Sequence, residues 1–204
     1  MPKRGLNYFS STEAPFEERF AGWRDRFFSP VCAILANLGV SPAAVSVTGV
    51  LMLAGVWIFF ISRPKLAVLF LALYILFDGI DGCVARKMKR ASIAGGFVDI
   101  LCDQTGMAVV TILLMAYNFI SPVLGGFYIF AYTIMIAVTV ARNALGAPPQ
   151  WIFRTKYFLF LFYALWAFDF GRWFAIFYLI ATPLTVLFAI MGSIGLYRRL
   201  QRVR

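Results

Sequence analysis

The chain has 204 residues, 62% of them hydrophobic and 14% charged, with no histidine and 19 Lys and Arg against 9 Asp and Glu, a net charge of +10. A soluble domain carries about 25% charged residues, so this composition, with a mean hydropathy of +0.82, excludes soluble enzyme folds and describes a membrane protein. Without histidine, Ser-His-Asp triads and His-ligated zinc are excluded as well. No polar domain exists to carry a basic face toward nucleic acid, so the basic excess reports membrane orientation and anionic headgroups.

The first forty residues are the polar stretch. No apolar h-region follows the basic start, so the segment is expected to be retained rather than cleaved as a signal peptide. Phe16, Phe20, Trp23 and Phe27 recur at helical spacing, while Glu17, Glu18, Arg19, Arg24, Asp25 and Arg26 fill the remaining faces. That pattern predicts an amphipathic helix lying in the headgroup layer. Residues 1–40 are therefore read as a cytoplasmic N-terminal segment, and 41–204 as a transmembrane domain.

Six apolar runs follow, at about 42–62, 66–86, 93–117, 121–146, 151–169 and 173–197. Each approaches or exceeds the roughly 20 residues needed to cross the hydrocarbon core, and Pro, Gly and charge mark the breaks between them. The fold class is thus an all-α integral membrane protein with six transmembrane helices behind an interfacial helix. Placing both termini in the cytoplasm puts 16 basic residues inside and 3 outside (Arg63, Lys65 and Arg172), as the positive-inside rule demands of a multi-pass protein of the cell membrane.

Four of the nine acids, Asp78, Asp81, Asp99 and Asp103, fall within 26 residues of two otherwise apolar spans. Ionisable groups at membrane depth are costly and read as functional. Asp78 and Asp81 are three apart and Asp99 and Asp103 four apart, so each pair projects from one helical face. The short Arg86–Arg90 connection makes the two helices antiparallel neighbours, bringing four carboxylates toward the cytoplasmic end. Such a group repels itself unless a hard cation is present, and all-oxygen ligation points to Mg²⁺, Mn²⁺ or Ca²⁺. Gly82 and Gly95 remove bulk beside the acids, Ala85 keeps the Asp81 face small, and Arg86 offers a guanidinium fork suited to phosphate. Three cysteines, Cys32, Cys83 and Cys102, cannot form a complete disulfide framework. Cys83 and Cys102 read as small buried residues between helices, reduced where they face the cytoplasm.

Asp78-x-x-Asp81-Gly82-x-x-Ala85-Arg86, eight residues, then Gly95-x-x-x-Asp99-x-x-x-Asp103 resembles the signature of the CDP-alcohol phosphatidyltransferases, in every fixed position and in the gap. The resemblance implies transfer of a substituted phosphoryl group from a CDP-linked lipid, usually CDP-diacylglycerol, to an alcohol with release of CMP. It further implies a two-metal centre of Mg²⁺ or Mn²⁺ on Asp78, Asp81 and Asp99, Asp103 beside the metal as general base, a cytidine diphosphate pocket at Gly82, Ala85, Arg86 and Gly95, and a homodimer. Many relatives begin the first span with Thr-Pro-Asn-x-x-Thr; Ser41-Pro42-Ala43-Ala44-Val45-Ser46 stands here, and Ala43 has no amide to offer. Arg142, Arg154 and Lys156 have two readings, headgroup anchoring or capture of an anionic acceptor; the latter suits a small polar or phosphorylated alcohol. The rival reading from another class is a divalent-cation transporter or channel lined by the four aspartates, which leaves Gly82, Ala85, Arg86 and Gly95 unexplained.

Overall fold

A computed structural model describes residues 14–201 except positions 91 and 153, and excludes the side chains of 14–18, 20 and 21. The described residues form helices without strands: α1 (Ala14–Phe27), α2 (Ser29–Asn37), α3 (Pro42–Phe59), α4 (Pro64–Lys87), α5 (Ile93–Ala116), α6 (Pro122–Ala144), α7 (Lys156–Ala167) and α8 (Phe174–Gln201). Their starts follow from local chemistry. Ser41 and Ser121 precede Pro42 and Pro122, and each serine hydroxyl accepts the amide of the third residue on, at 3.2 Å in both cases. Proline at the first helical position loses only an amide that has no helical partner, so the Ser-Pro pair fixes the start twice over. Ser92 does the same for α5, accepting from Gly95 N at 3.0 Å.

Five of these helices, α3, α4, α5, α6 and α8, are long and apolar enough to cross a membrane. The run expected as a span at 151–169 is instead the 12-residue helix α7, short of the length needed to cross unaided. Pro148 and Pro149 hold the preceding backbone out of helical geometry, and helix resumes only at Lys156. Pro183 sits inside a continuous α8. Helix α2 has no counterpart among the expected elements; it forms because Pro30 restarts the chain after α1. On α1, Trp23 and Phe27 are exposed and stacked with centroids 6.1 Å apart, while Phe16 and Phe20 lie outside the described side chains.

The chain packs as two units, Ala14–Gly106 and Met107–Arg204. In the first, a core of Cys32, Val45, Ile80, Cys83 and Val84 joins α2, α3 and α4, flanked by Phe28, Leu35, Phe77 and Met88. Helices α3 and α4 approach closely because glycine stands at two facing positions. A Cβ at Gly49 would meet the Phe77 Cβ at 2.9 Å, and one at Gly55 would enter the Phe70 ring. In the second unit the buried Tyr178 hydroxyl donates to Thr111 at 2.9 Å, and Tyr128 pairs with Thr155 at 2.5 Å. Polar tips of apolar-bodied side chains thereby satisfy one another inside the bundle.

Gly55→Ala is expected to destabilise the first unit by about 1–3 kcal/mol, since the Phe70 ring stands where the added Cβ would go. Thermal unfolding in detergent should show this loss, and Phe70→Leu in the same chain should restore much of it. An alanine variant as stable as the parent would contradict the close approach.

Candidate active site

The four aspartates lie in the first unit, on α4 and α5. Asp81 and Asp103 are buried, 6% and 4% exposed, and Asp78 and Asp99 are half-buried. The two helices are tied together beside them: the Tyr74 hydroxyl on α4 donates to the Cys102 carbonyl on α5 at 2.9 Å. Gly106, one turn beyond, leaves room for the Tyr74 ring, which any Cβ there would strike. This pairing of an early α4 residue with the turn beyond Asp99 gives the antiparallel arrangement that the short connection demands. All four carboxylates act electrostatically on the Cys102 thiol, and Asp103 acts on Asp81. All four thus lie within electrostatic range of Cys102. Among the described residues, no three acids or thiols stand together in an arrangement that could already hold a metal ion.

Asp81 has a partner that the signature does not contain. The Ser46 hydroxyl on α3 donates to its Oδ2 and lies 3.2 Å from the Pro42 carbonyl. Ser46 occupies the final threonine position of the pattern from which Ala43 departs, so the hydroxyl function at this end of α3 is retained. Ser41, the other serine of that stretch, is used as the helix cap.

Gly82, Ala85 and Arg86 follow Asp81 around α4. The Arg86 guanidinium folds back over Gly82, where a Cβ would meet its Nη1 at 3.2 Å. Its Nε and Nη2 both donate to the Asp25 carboxylate on α1 at 2.6 Å, a bidentate ion pair. One residue away, Arg24 packs on the same face, with its Cδ 3.2 Å from a Cβ built at Gly79. Lys87 Nζ donates to both the carbonyl and hydroxyl of Ser29 at 2.9 Å. Sequence spacing singles out none of Arg24, Asp25, Ser29 or Tyr74 as part of the site. Their partners lie 28 to 61 residues away, beyond any spacing rule.

Gly95 lies in the first turn of α5, within the Ser92 cap. Cys83 is not the isolated reduced thiol expected. It pairs in a disulfide with Cys32, their Cα atoms 6.1 Å apart, because α2 packs against α4; Cys102 is free and buried. Arg142, Arg154 and Lys156 belong to the second unit. Arg142 Nε donates to the Ala147 carbonyl at 3.1 Å, closing the turn after α6. Lys156 is 2% exposed and lies 4.7 Å from the Tyr157 ring centroid.

A family model described as CDP-alcohol phosphatidyltransferase matches residues 40–191. A CDP-diacylglycerol–serine O-phosphatidyltransferase of Mycobacterium tuberculosis is 30% identical over 122 residues, 56% of this chain and 42% of the relative; the Mycobacterium bovis protein matches to the same extent. An archaetidylinositol phosphate synthase of Pyrococcus horikoshii is 34% identical over 71 residues, 34% of this chain and 38% of the relative. The matches thus span less than half the length of these relatives.

Tyr74→Phe should cost about 1 kcal/mol of stability, the usual net worth of one hydrogen bond, while keeping the ring that fills the Gly106 notch. Chemical unfolding in mixed micelles measures this. Equal stability of the two forms would mean that the Cys102 carbonyl is satisfied without Tyr74.

Proposed function

The chain belongs to the CDP-alcohol phosphatidyltransferase family, and on that premise we propose that it moves a phosphatidyl group from a CDP-linked lipid, CDP-diacylglycerol, to an alcohol hydroxyl in phospholipid synthesis, with release of CMP. The observation that carries this reading is the complete signature gathered on α4 and α5, two of its four acids buried and its arginine at the same end of α4. The names of the relatives, one a serine O-phosphatidyltransferase and one an inositol phosphate lipid synthase, support the substrate class.

The acids Asp78, Asp81 and Asp99 are the residues that would hold two Mg²⁺ or Mn²⁺ ions, with Asp103 beside them. The donor set fits: every group is a carboxylate, and burial of Asp81 and Asp103 in apolar helices favours a compensating cation. Bound there, divalent metal would supply neutralisation of the charge that develops on the diphosphate during transfer. Arg86 grips the diphosphate through its planar fork, and Gly82, Ala85 and Gly95 let it approach backbone. Asp103 takes the proton from the attacking hydroxyl as the new oxygen–phosphorus bond forms, and the bond to CMP breaks opposite. Arg142, Arg154 and the buried Lys156 suit an acceptor that carries phosphate, which makes a phosphorylated alcohol the favoured partner and an unphosphorylated polar alcohol such as serine the alternative.

The same reading gives residues 41–204 as the catalytic membrane domain, with α7 completing a sixth span, and 1–40 as a cytoplasmic segment whose α1 rests in the headgroup layer. Both termini face the cytoplasm of the cell membrane, and two copies pair through their membrane helices.

Purified protein given CDP-diacylglycerol, Mg²⁺ or Mn²⁺ and a panel of acceptors should release CMP, and excess EDTA should abolish release. Asp78→Asn and Asp81→Asn should lose metal binding and turnover together. Asp103→Asn should lose about 10²–10⁴-fold in rate while retaining donor binding within about threefold. Turnover undiminished in chelator would overturn the metal assignment, and loss of donor binding in Asp103→Asn would make that residue a ligand rather than the base.

Topology has its own measurement. Cysteines introduced at Ser62 and Ser92 in a cysteine-free background should react with an impermeant thiol reagent from opposite faces of intact cells. Reaction from one face alone would overturn the arrangement.

A further inference from the structure

Helix α1 enters the site through two adjacent residues of opposite charge. Asp25 holds Arg86 by both edges of its fork. Arg24 lies flat on the bare face of α4: its Cδ is 3.2 Å from a Cβ built at Gly79, and its Nη2 is 3.7 Å from one built at Gly82. The Arg86 Nη1 is 3.2 Å from that same Gly82 point, so two guanidiniums meet over one glycine. Arg24 Nε is buried and donates no hydrogen bond, and its charge reaches Asp81. A buried donor left unmet is uncommon in a folded chain. Two cations held side by side repel, unless an anion with acceptors for both lies between them.

We propose that Arg24 is a donor-binding residue supplied by the N-terminal helix, which together with Arg86 grips the diphosphate of the CDP-linked lipid, and that Asp25 is the internal counter-ion which Arg86 exchanges for that diphosphate. This rests on the reading of the site given above. The geometry explains several features together. Gly79, outside the signature, is small because the Arg24 stem crosses it. Lys87 clamps the junction of α1 and α2 through Ser29, which fixes the helix that carries Arg24. Asp25 keeps the Arg86 fork extended and paired until a doubly charged ligand outcompetes a single carboxylate. Two arginines suit two phosphates, so the second guanidinium discriminates a nucleoside diphosphate from a monophosphate. The donor would thereby be held in preference to the product CMP.

Calorimetry on the full chain in nanodiscs with Mg²⁺ present, using CDP and CMP as water-soluble probes, tests this. Arg24→Ala should weaken CDP binding about tenfold to a hundredfold, the scale of a lost charge-assisted contact, and leave CMP binding within about twofold, which also reports that the variant is folded. Arg24→Lys should recover part of the loss. Asp25→Asn should tighten CDP binding at least threefold, because Arg86 is released. Unchanged CDP binding in Arg24→Ala, or an equal loss of CDP and CMP, overturns the role of Arg24; weaker CDP binding in Asp25→Asn overturns the exchange. Failure of the parent protein to bind either nucleotide would instead overturn the reading of the site on which the proposal stands.

Discussion

A carboxylate held away from water inside an apolar helix is the constraint on which this structure turns. Asp81 has helices on several sides, and its charge is costly there unless opposite charge and hydrogen bonds accompany it. Each neighbouring element contributes something. Helix α3 brings the Ser46 hydroxyl, α1 brings the Arg24 charge, and α5 brings a second buried acid, Asp103, which worsens the repulsion instead of relieving it. Protein groups alone leave that balance unfavourable. On the function proposed above, cations and an anionic ligand reaching the arginines would complete that balance.

The capping chemistry and the close helix contacts serve that purpose. Ser-Pro starts fix where α3 begins, and so where Ser46 falls along it. Glycines at 49 and 55 let α3 settle against α4 at the depth where Ser46 reaches Asp81. Tyr74 locks α5 to α4 one turn before the first acid. Rigid helices rather than loops hold the acids, which suits chemistry that depends on geometry being in place before the substrate arrives.

What the sequence made legible was whatever repeats or clusters along the chain. Long apolar runs announced α3, α4, α5, α6 and α8. Acids at spacings of three and four within such runs pointed to the candidate site on α4 and α5, because a charge inside an apolar helix is costly. The run at 151–169 gives a shorter helix than its composition suggests: apolar composition counts Trp151 and Ile152, whereas α7 begins only at Lys156, beyond two prolines that disfavour helix. Helix α2 was invisible because nine residues with a weak pattern resemble a linker. Ser46 and Tyr74 are ordinary residues of an apolar helix until their partners are known, and Arg24 and Asp25 look like two more charges on the polar side of an interfacial helix. Contacts between distant elements leave no trace in local spacing, so the surroundings of the acids had to come from the structure.

The fit of Arg24 over Gly79 has a consequence for how such a chain can change over time. A side chain at 79 would crowd the arginine stem at its Cδ, which couples that position to one 55 residues earlier in the chain. A lineage that abandoned the arginine would free position 79 to accept any apolar side chain, and one that kept it would hold both. Helix α1 is in that sense bound to α4 by inheritance as well as by contact, and positions 24 and 79 are expected to change as a pair.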